Sequence, residues 1–164
     1  MSTSTEGQAV ERALIVMLRL TIGWVFLWAA IHHYGDGGFV GGFLSHTKTF
    51  HPLYGPLAQS AFLPVLTVLV EYGHLLIGLS LISGLLVRAS APFGAAMMLL
   101  YWTAHMDYPY IENPNNLIVD YHVVYAIALV YLVVRRAGHV WGLDGWVSNL
   151  DLVRRSAGLR WLTA

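Results

Sequence analysis

The sequence predicts an all-α integral membrane protein: a four-helix antiparallel bundle with both termini on the cytoplasmic side and a C-terminal amphipathic helix at the inner interface. Three observations carry that expectation. Of 164 residues, 57% are hydrophobic and 11% charged, with a mean hydropathy of +0.59, whereas soluble domains are about one quarter charged. Four apolar stretches, about 13–33, 62–87, 90–106 and 117–135, approach the roughly 20 residues that cross a hydrocarbon core about 30 Å thick. The basic residues fall on one side of those stretches.

Residues 1–10 are polar and Ser/Thr-rich, with no basic region leading to a cleavage site, and are expected to form a mobile tail before a retained first span. The membrane domain, 11–136, opens with that span, interrupted only by Arg19 and Thr21 before His32 and His33. Residues 34–61 change character, with Gly35, Gly37, Gly38, Gly41, Gly42, Pro52 and Pro56 predicting an outer loop. A short helix or re-entrant piece there would lay Phe39, Phe43, Leu44 and Phe50 against the bilayer surface.

The second span holds Glu71 and His74 as its only strongly polar members, and a turn at Arg88, Ser90 and Pro92 leads to the third. Residues 107–116 read as a turn-rich loop, and Arg135 and Arg136 close the fourth span. In the remaining segment, 137–164, Trp146, Leu150, Val153, Ala157 and Trp161 recur at helical spacing with Arg154, Arg155 and Arg160 off the stripe. That pattern predicts a helix lying in the inner headgroup layer.

With the N-terminus inside, Arg12, Arg88, Arg135, Arg136, Arg154, Arg155 and Arg160 face the cytoplasm, and the outer loops keep only Lys48. Tyr34, Tyr54, Tyr108 and Tyr110 would form an outer aromatic belt, and Trp141 and Trp146 an inner one. The expected location is therefore the inner (cytoplasmic) membrane of the cell, as a multi-pass protein. A formal net charge of zero gives no argument for nucleic acid as a partner. The absence of cysteine removes disulfides, thiolate ligands and thiol nucleophiles together, so redox chemistry would need a bound cofactor or metal.

Arg19, Glu71 and His74 are costly inside a span, at several kcal/mol each on insertion scales, and need a reason. One reading pairs Arg19 with Glu71 and lets His74 bond a carbonyl, locking the helices together. The other makes Glu71 and His74, three apart on one helix face, a chemical pair. Glu-x-x-His is a di-iron spacing, but such sites need further inward carboxylates and only Asp120 lies at similar depth. Ser80 and Gly84, four apart, are candidates for a helix-packing face.

The histidines segregate. His32, His33, His46, His51, His105 and His122 belong to the outer side, His74 lies within, and His139 is on the inner side. Antiparallel connectivity brings the ends of spans one and three and the start of span four to one level, so His32, His33, His105 and His122 are candidate metal ligands. The same imidazoles suit haem ligation or proton exchange with a quinone. A haem held by His74 and His122 is disfavoured, because their depths differ by roughly 8 to 9 Å. Trp24, Trp28, Tyr101, Trp102 and Tyr125 are candidates to line a quinone pocket.

The first helix (LRLTIGWVFLWAAIHHYGDG) and the segment EYGHLLIGLSLISGLLVRASAPFGAAMML resemble the DoxX/DoxD family of small four-helix membrane proteins. The matching positions are Arg19, Glu71, Gly78, Gly84 and Arg88, and the resemblance spans about 13–136, closer to the DoxD-like branch in its outer loop and histidines. It implies a likeness to the small subunit of thiosulfate:quinone oxidoreductase. The leading expectation is thus a membrane subunit of a quinone-linked oxidoreductase, acting on sulfur compounds, with Glu71, His74 and His122 as catalytic groups. Arg19, Trp28, His33, Trp102 and His105 would hold the quinone, and a redox partner subunit or a second copy would complete the complex. The alternatives are a haem- or metal-binding membrane protein and a non-enzymatic anchor or assembly subunit.

Overall fold

The computed structural model describes residues 2–33, 35–36 and 38–163. Tyr34 of the expected outer belt and Gly37 of the glycine run lie outside the described residues. The described chain is mostly helical: α1 (Ser2–His33), α2 (Phe39–Ser45), α3 (His51–Tyr54) with a 3₁₀ turn (Gly55–Gln59), α4 (Leu63–Ser83) and α5 (Val87–Ala104). Three short strands follow, β1 (Met106–Asp107), β2 (Tyr110–Ile111) and β3 (Asn113–Leu117). Then come α6 (Tyr121–Val134), a 3₁₀ turn (Ala137–His139), α7 (Leu143–Val147), α8 (Asp151–Arg155) and α9 (Ala157–Leu162).

Among the described residues two helices, α1 and α4, are long and apolar enough to cross a membrane, and α6 is apolar but has only 14 residues. α1 packs on α4, α4 on α5 and α5 on α6, and α6 returns to α1. Their shared core joins Ile22 and Phe26 to Ile77, Leu81, Met98 and Leu129. Close approach of α1 and α4 depends on Gly78, where a Cβ would stand 2.7 Å from the backbone nitrogen of Leu27. The outward faces are apolar as well: Trp24, Leu76, Phe93, Ile127 and Val134 are all more than half exposed.

The expected tail 1–10 is instead the start of α1, which is helical from Ser2. Gln8, Ala9, Glu11 and Arg12 are adequate helix formers, and Glu11 forms an ion pair with Arg135 at the end of α6. The segment 38–61, expected as an outer loop with a short helix on the bilayer surface, forms α2, α3 and a 3₁₀ turn that pack on protein instead. Val40, Leu44 and Tyr54 make a second small core with Ala104, and Phe39 and Phe43 lie against it. The expected loop 107–116 contains a three-stranded antiparallel sheet in the order β1-β2-β3, with Met106 opposite Ile111. The Lys48 ammonium meets Asp107 at 2.5 Å, and Thr49 accepts from the Tyr108 amide at 2.8 Å, so α2–α3 and the sheet form one cap.

At the opposite, basal end, the turn between α4 and α5 interlocks with residues 137–144. Asp144, 2% exposed, accepts from the amides of Leu86 (2.7 Å) and Val87 (3.2 Å), capping α5. Gly84 sits at φ +70°, and a Cβ there would meet Arg19 Nη1 and Gly142 Cα at 2.6 Å, so the position requires glycine twice over.

The expected single interfacial helix over the C-terminal segment is three short helices. Ser156 is extended and caps α9 by accepting from the Leu159 amide at 3.4 Å, which ends the run that periodicity favours. The stripe divides accordingly: Val153 is buried against the body, while Trp146 and Trp161 are more than half exposed. Arg88 lies 5.1 Å from the Trp161 ring centroid, tying α9 to the base of α5.

Candidate functional site

The apical ends of α1, α4, α5 and α6 enclose a cavity of about 280 Å³ beneath α2, close to the roughly 300 Å³ at which small-molecule sites begin. Four of the eight histidines line it: His33 on α1, His74 on α4, His105 at the C-cap of α5 and His122 on α6. Tyr101, Tyr121 and Tyr125 complete its polar wall, and Phe26, Phe39, Phe43 and Met98 much of its apolar one.

Tyr101 stands at the centre. Its ring stacks on His74 at 5.6 Å between centroids and meets the edge of His122 at 6.0 Å, so it bridges the deeper imidazole to the shallower one. Among the described residues its hydroxyl is buried and has no hydrogen-bond partner. A buried hydroxyl without a partner costs roughly 1 to 3 kcal/mol, a cost that a ligand's acceptor would remove.

The imidazoles are oriented by hydrogen bonds at Nδ1. His74 Nδ1 lies 2.7 Å from the Val70 carbonyl, and His105 Nδ1 lies 2.9 Å from the Tyr101 carbonyl. A carbonyl only accepts, so Nδ1 carries the proton in both rings. His122 Nδ1 is 2.6 Å from Asp120 Oδ2, and the other oxygen of that carboxylate accepts the His122 amide at 3.1 Å. Asp120 thereby caps α6 and fixes the ring beside it. With Nδ1 engaged, Nε2 of neutral His74 and His122 remains an acceptor.

His105 has a different surrounding. Its Nε2 is 3.5 Å from Glu112 Oε1, and its ring stacks on His122 with centroids 5.0 Å apart. It also lines an adjoining polar pocket of about 200 Å³ with His46, Lys48, Asp107 and Glu112. His105 is therefore shared by the inner cavity and the apical surface.

The structure gathers His33, His74, His105, His122, Tyr101 and Tyr125 from the sequence candidates and leaves others out. Arg19 is about 21 Å from His33 along α1 at 1.5 Å per residue. It is buried in the basal end and donates to the carbonyls of Ala137 (2.6 Å), Val140 (3.1 Å) and Trp141 (3.4 Å). The expected Arg19–Glu71 pair is absent among the described residues because antiparallel packing sets Arg19 beside Gly84 at the basal end of α4, about 20 Å along that helix from Glu71. Glu71 is half-buried one turn from His74 and outside the cavity lining.

Trp24 and Trp28 stack on each other on the outward face of α1, and His32 is exposed beside Trp28. Trp102 donates its indole N–H to the Ile118 carbonyl at 2.7 Å, fixing the turn that precedes α6, where Ile118 has φ +62°. Ser80 bonds Ser90 at 2.6 Å, so Ser80 and Gly84 serve the α4–α5 turn, and Gly23 and Gly78 mark the packed face of α1 and α4.

Sequence reasoning missed Tyr121, Phe39 and Phe43, and also Glu112. The spacing of Tyr121 before His122 and Tyr125 was the available signal, since an (i, i+4) pair lies on one helix face. Among the described residues no group of three or more His, Asp or Glu is arranged to hold a metal ion. His105 and His122 present ring faces to each other, an arrangement that does not aim two nitrogens at one haem iron. No protein-family model, curated protein or solved structure matches the chain.

Proposed function

We propose that this chain is the membrane subunit of a quinone-linked oxidoreductase, and that its apical cavity binds the quinol headgroup and exchanges its protons. The observation that carries the reading is the Tyr101 hydroxyl, buried and without a partner among the described residues, on a ring that lies against His74 and His122 in an aromatic-walled cavity. A hydroquinone answers this chemistry on both sides: its O–H groups donate to free Nε2 acceptors, its oxygens accept from Tyr101, and its flat ring suits aromatic walls.

The proposed setting is a four-helix membrane bundle, α1, α4, α5 and α6, with both termini cytoplasmic, in the inner membrane of the cell. In support, outward side chains such as Leu76, Phe93 and Ile127 form an apolar exterior that water would penalise. Arg88, Arg135, Arg136, Arg154, Arg155 and Arg160 all lie toward the basal end. The likeness to DoxX/DoxD proteins is part of the same proposal, with sulfur-compound oxidation as the metabolic setting.

Oxidation of the quinol releases two electrons, which pass to a redox partner subunit, and two protons. His74 and His122 take protons at Nε2, and Asp120 stabilises the imidazolium formed at His122. The proton on His122 passes to Nε2 of the stacked His105, and from there to Glu112 and the apical surface. In sulfur-compound oxidation the flow is reversed: the partner subunit passes two electrons from the sulfur compound to a bound quinone, and the same groups give it two protons.

The test uses purified protein in nanodiscs, with quinol binding followed by tryptophan fluorescence and turnover by reduction of a soluble electron acceptor. Tyr101→Phe is expected to weaken quinol binding about three- to tenfold, the worth of one hydrogen bond. His122→Ala is expected to slow turnover by about 10² or more, as for loss of a general base. Wild-type protein that neither binds nor oxidises quinol would sink the proposal.

A further inference from the structure

A second cavity, of about 210 Å³, adjoins the headgroup cavity. It lies between α2, the 3₁₀ turn and the apical halves of α4 and α5, walled by Val40, Leu44, Leu57, Leu66, Val70 and Leu100. Three residues, Phe39, Phe43 and Tyr101, line both cavities. The partition between them is thus made of ring faces, with Phe43 edge-on to Tyr101 at 5.6 Å between centroids. One chamber carries four imidazoles and a hydroxyl with no partner among the described residues, and its neighbour offers hydrocarbon and the Tyr54 ring, whose own hydroxyl is already bonded to Thr103 at 2.7 Å.

We infer that the second cavity is a subsite for the prenyl or alkyl tail of the ligand, so that the protein selects a lipid-tailed quinol over a water-soluble one. The inference rests on the quinol reading of the first cavity and adds the ligand's amphiphilic class. A polar ring joined to an apolar chain is the chemistry that fills both chambers at once. Leu100 is more than half exposed on the outside of α5 and also lines the second cavity, so the chain leaves sideways toward lipid, under α2. Phe39 and Phe43 grip it where ring meets tail.

The experiment compares a decyl-tailed benzoquinol with the same benzoquinol lacking the tail, each titrated into protein in nanodiscs, with partition into protein-free nanodiscs subtracted. Wild-type protein is expected to hold the tailed ligand at least about tenfold tighter, as burial of about two methylene groups requires. Leu66→Phe, from the α4 wall, and Leu57→Phe, from the loop wall, fill the second cavity. Both are expected to erase that preference and leave the tailless affinity within about twofold, while Tyr101→Phe weakens both ligands alike.

Equal affinity of the two ligands for wild-type protein, or a preference that survives both fillings, overturns the tail subsite while leaving the headgroup site standing. Binding of neither ligand overturns both. Two fillings from different elements keep the test sound if one of them fails to fold.

Discussion

Asp144 accepts the first free amides of α5, and the Arg19 guanidinium beside it closes three carbonyls of residues 137–141, so both charges are matched by fixed backbone dipoles. Asp144→Ala would leave the Leu86 and Val87 amides without partners and strip the counter-charge from Arg19. The expected loss is about 3 to 5 kcal/mol, as for breaking a buried charged network. Asp144→Asn keeps one acceptor oxygen and is expected to lose less. Thermal denaturation in detergent separates the two, and equal melting shifts would show that the acceptor contributes nothing. Nothing local marks this carboxylate in the sequence, because its partners are 57 and 58 residues away and belong to backbone that every residue has. His33, His105 and His122 were legible for the opposite reason: helix ends joined by short antiparallel connections must share a level. Tyr101 was legible as an aromatic near that level, but its unpartnered hydroxyl depends on how neighbours pack, which no spacing encodes.

At the scale of elements, α1 meets α4 through glycines. A Cβ on Gly23 would stand 2.9 Å from Ile82 Cγ1, and one on Gly78 would press on the backbone of Leu27 itself. The backbone has nowhere to retreat without moving α1, so Gly78→Leu is expected to destabilise by about 1 to 3 kcal/mol through overpacking. Gly7→Leu, with open space around it, is expected to be nearly silent. Unfolding by denaturant in mixed micelles measures both, and equal effects would place the α1–α4 contact elsewhere. The four long helices were readable from hydropathy because apolar runs of that length have few other structures. The small sheet was not, since its strands have two to five residues and are held by pairing rather than pattern. Nor was the broken C-terminal segment, where Ser156 turns the chain although the helical stripe continues through it.

For the whole molecule, the proposed orientation can be tested directly because the chain has no cysteine. Single substitutions at exposed positions, Asn115→Cys in the apical sheet and Asp151→Cys in the basal segment, give unambiguous labels. In intact cells an impermeant maleimide is expected to label the first and to reach the second only after the membrane is opened. The reverse pattern would invert the topology and turn the cavity toward the cytoplasm. In the proposed arrangement α6 has a further consequence. Its 14 residues rise about 21 Å, against a hydrocarbon core of about 30 Å. The shortfall is met by the exposed turn of Leu117, Ile118 and Val119, in which Ile118 has a left-handed φ of +62°, and by local thinning of the lipid. Asp120 and His122 stand at this end of α6, so in that arrangement the thickness of the surrounding membrane bears on the groups proposed to hold the ligand, and longer acyl chains would strain the site from the side.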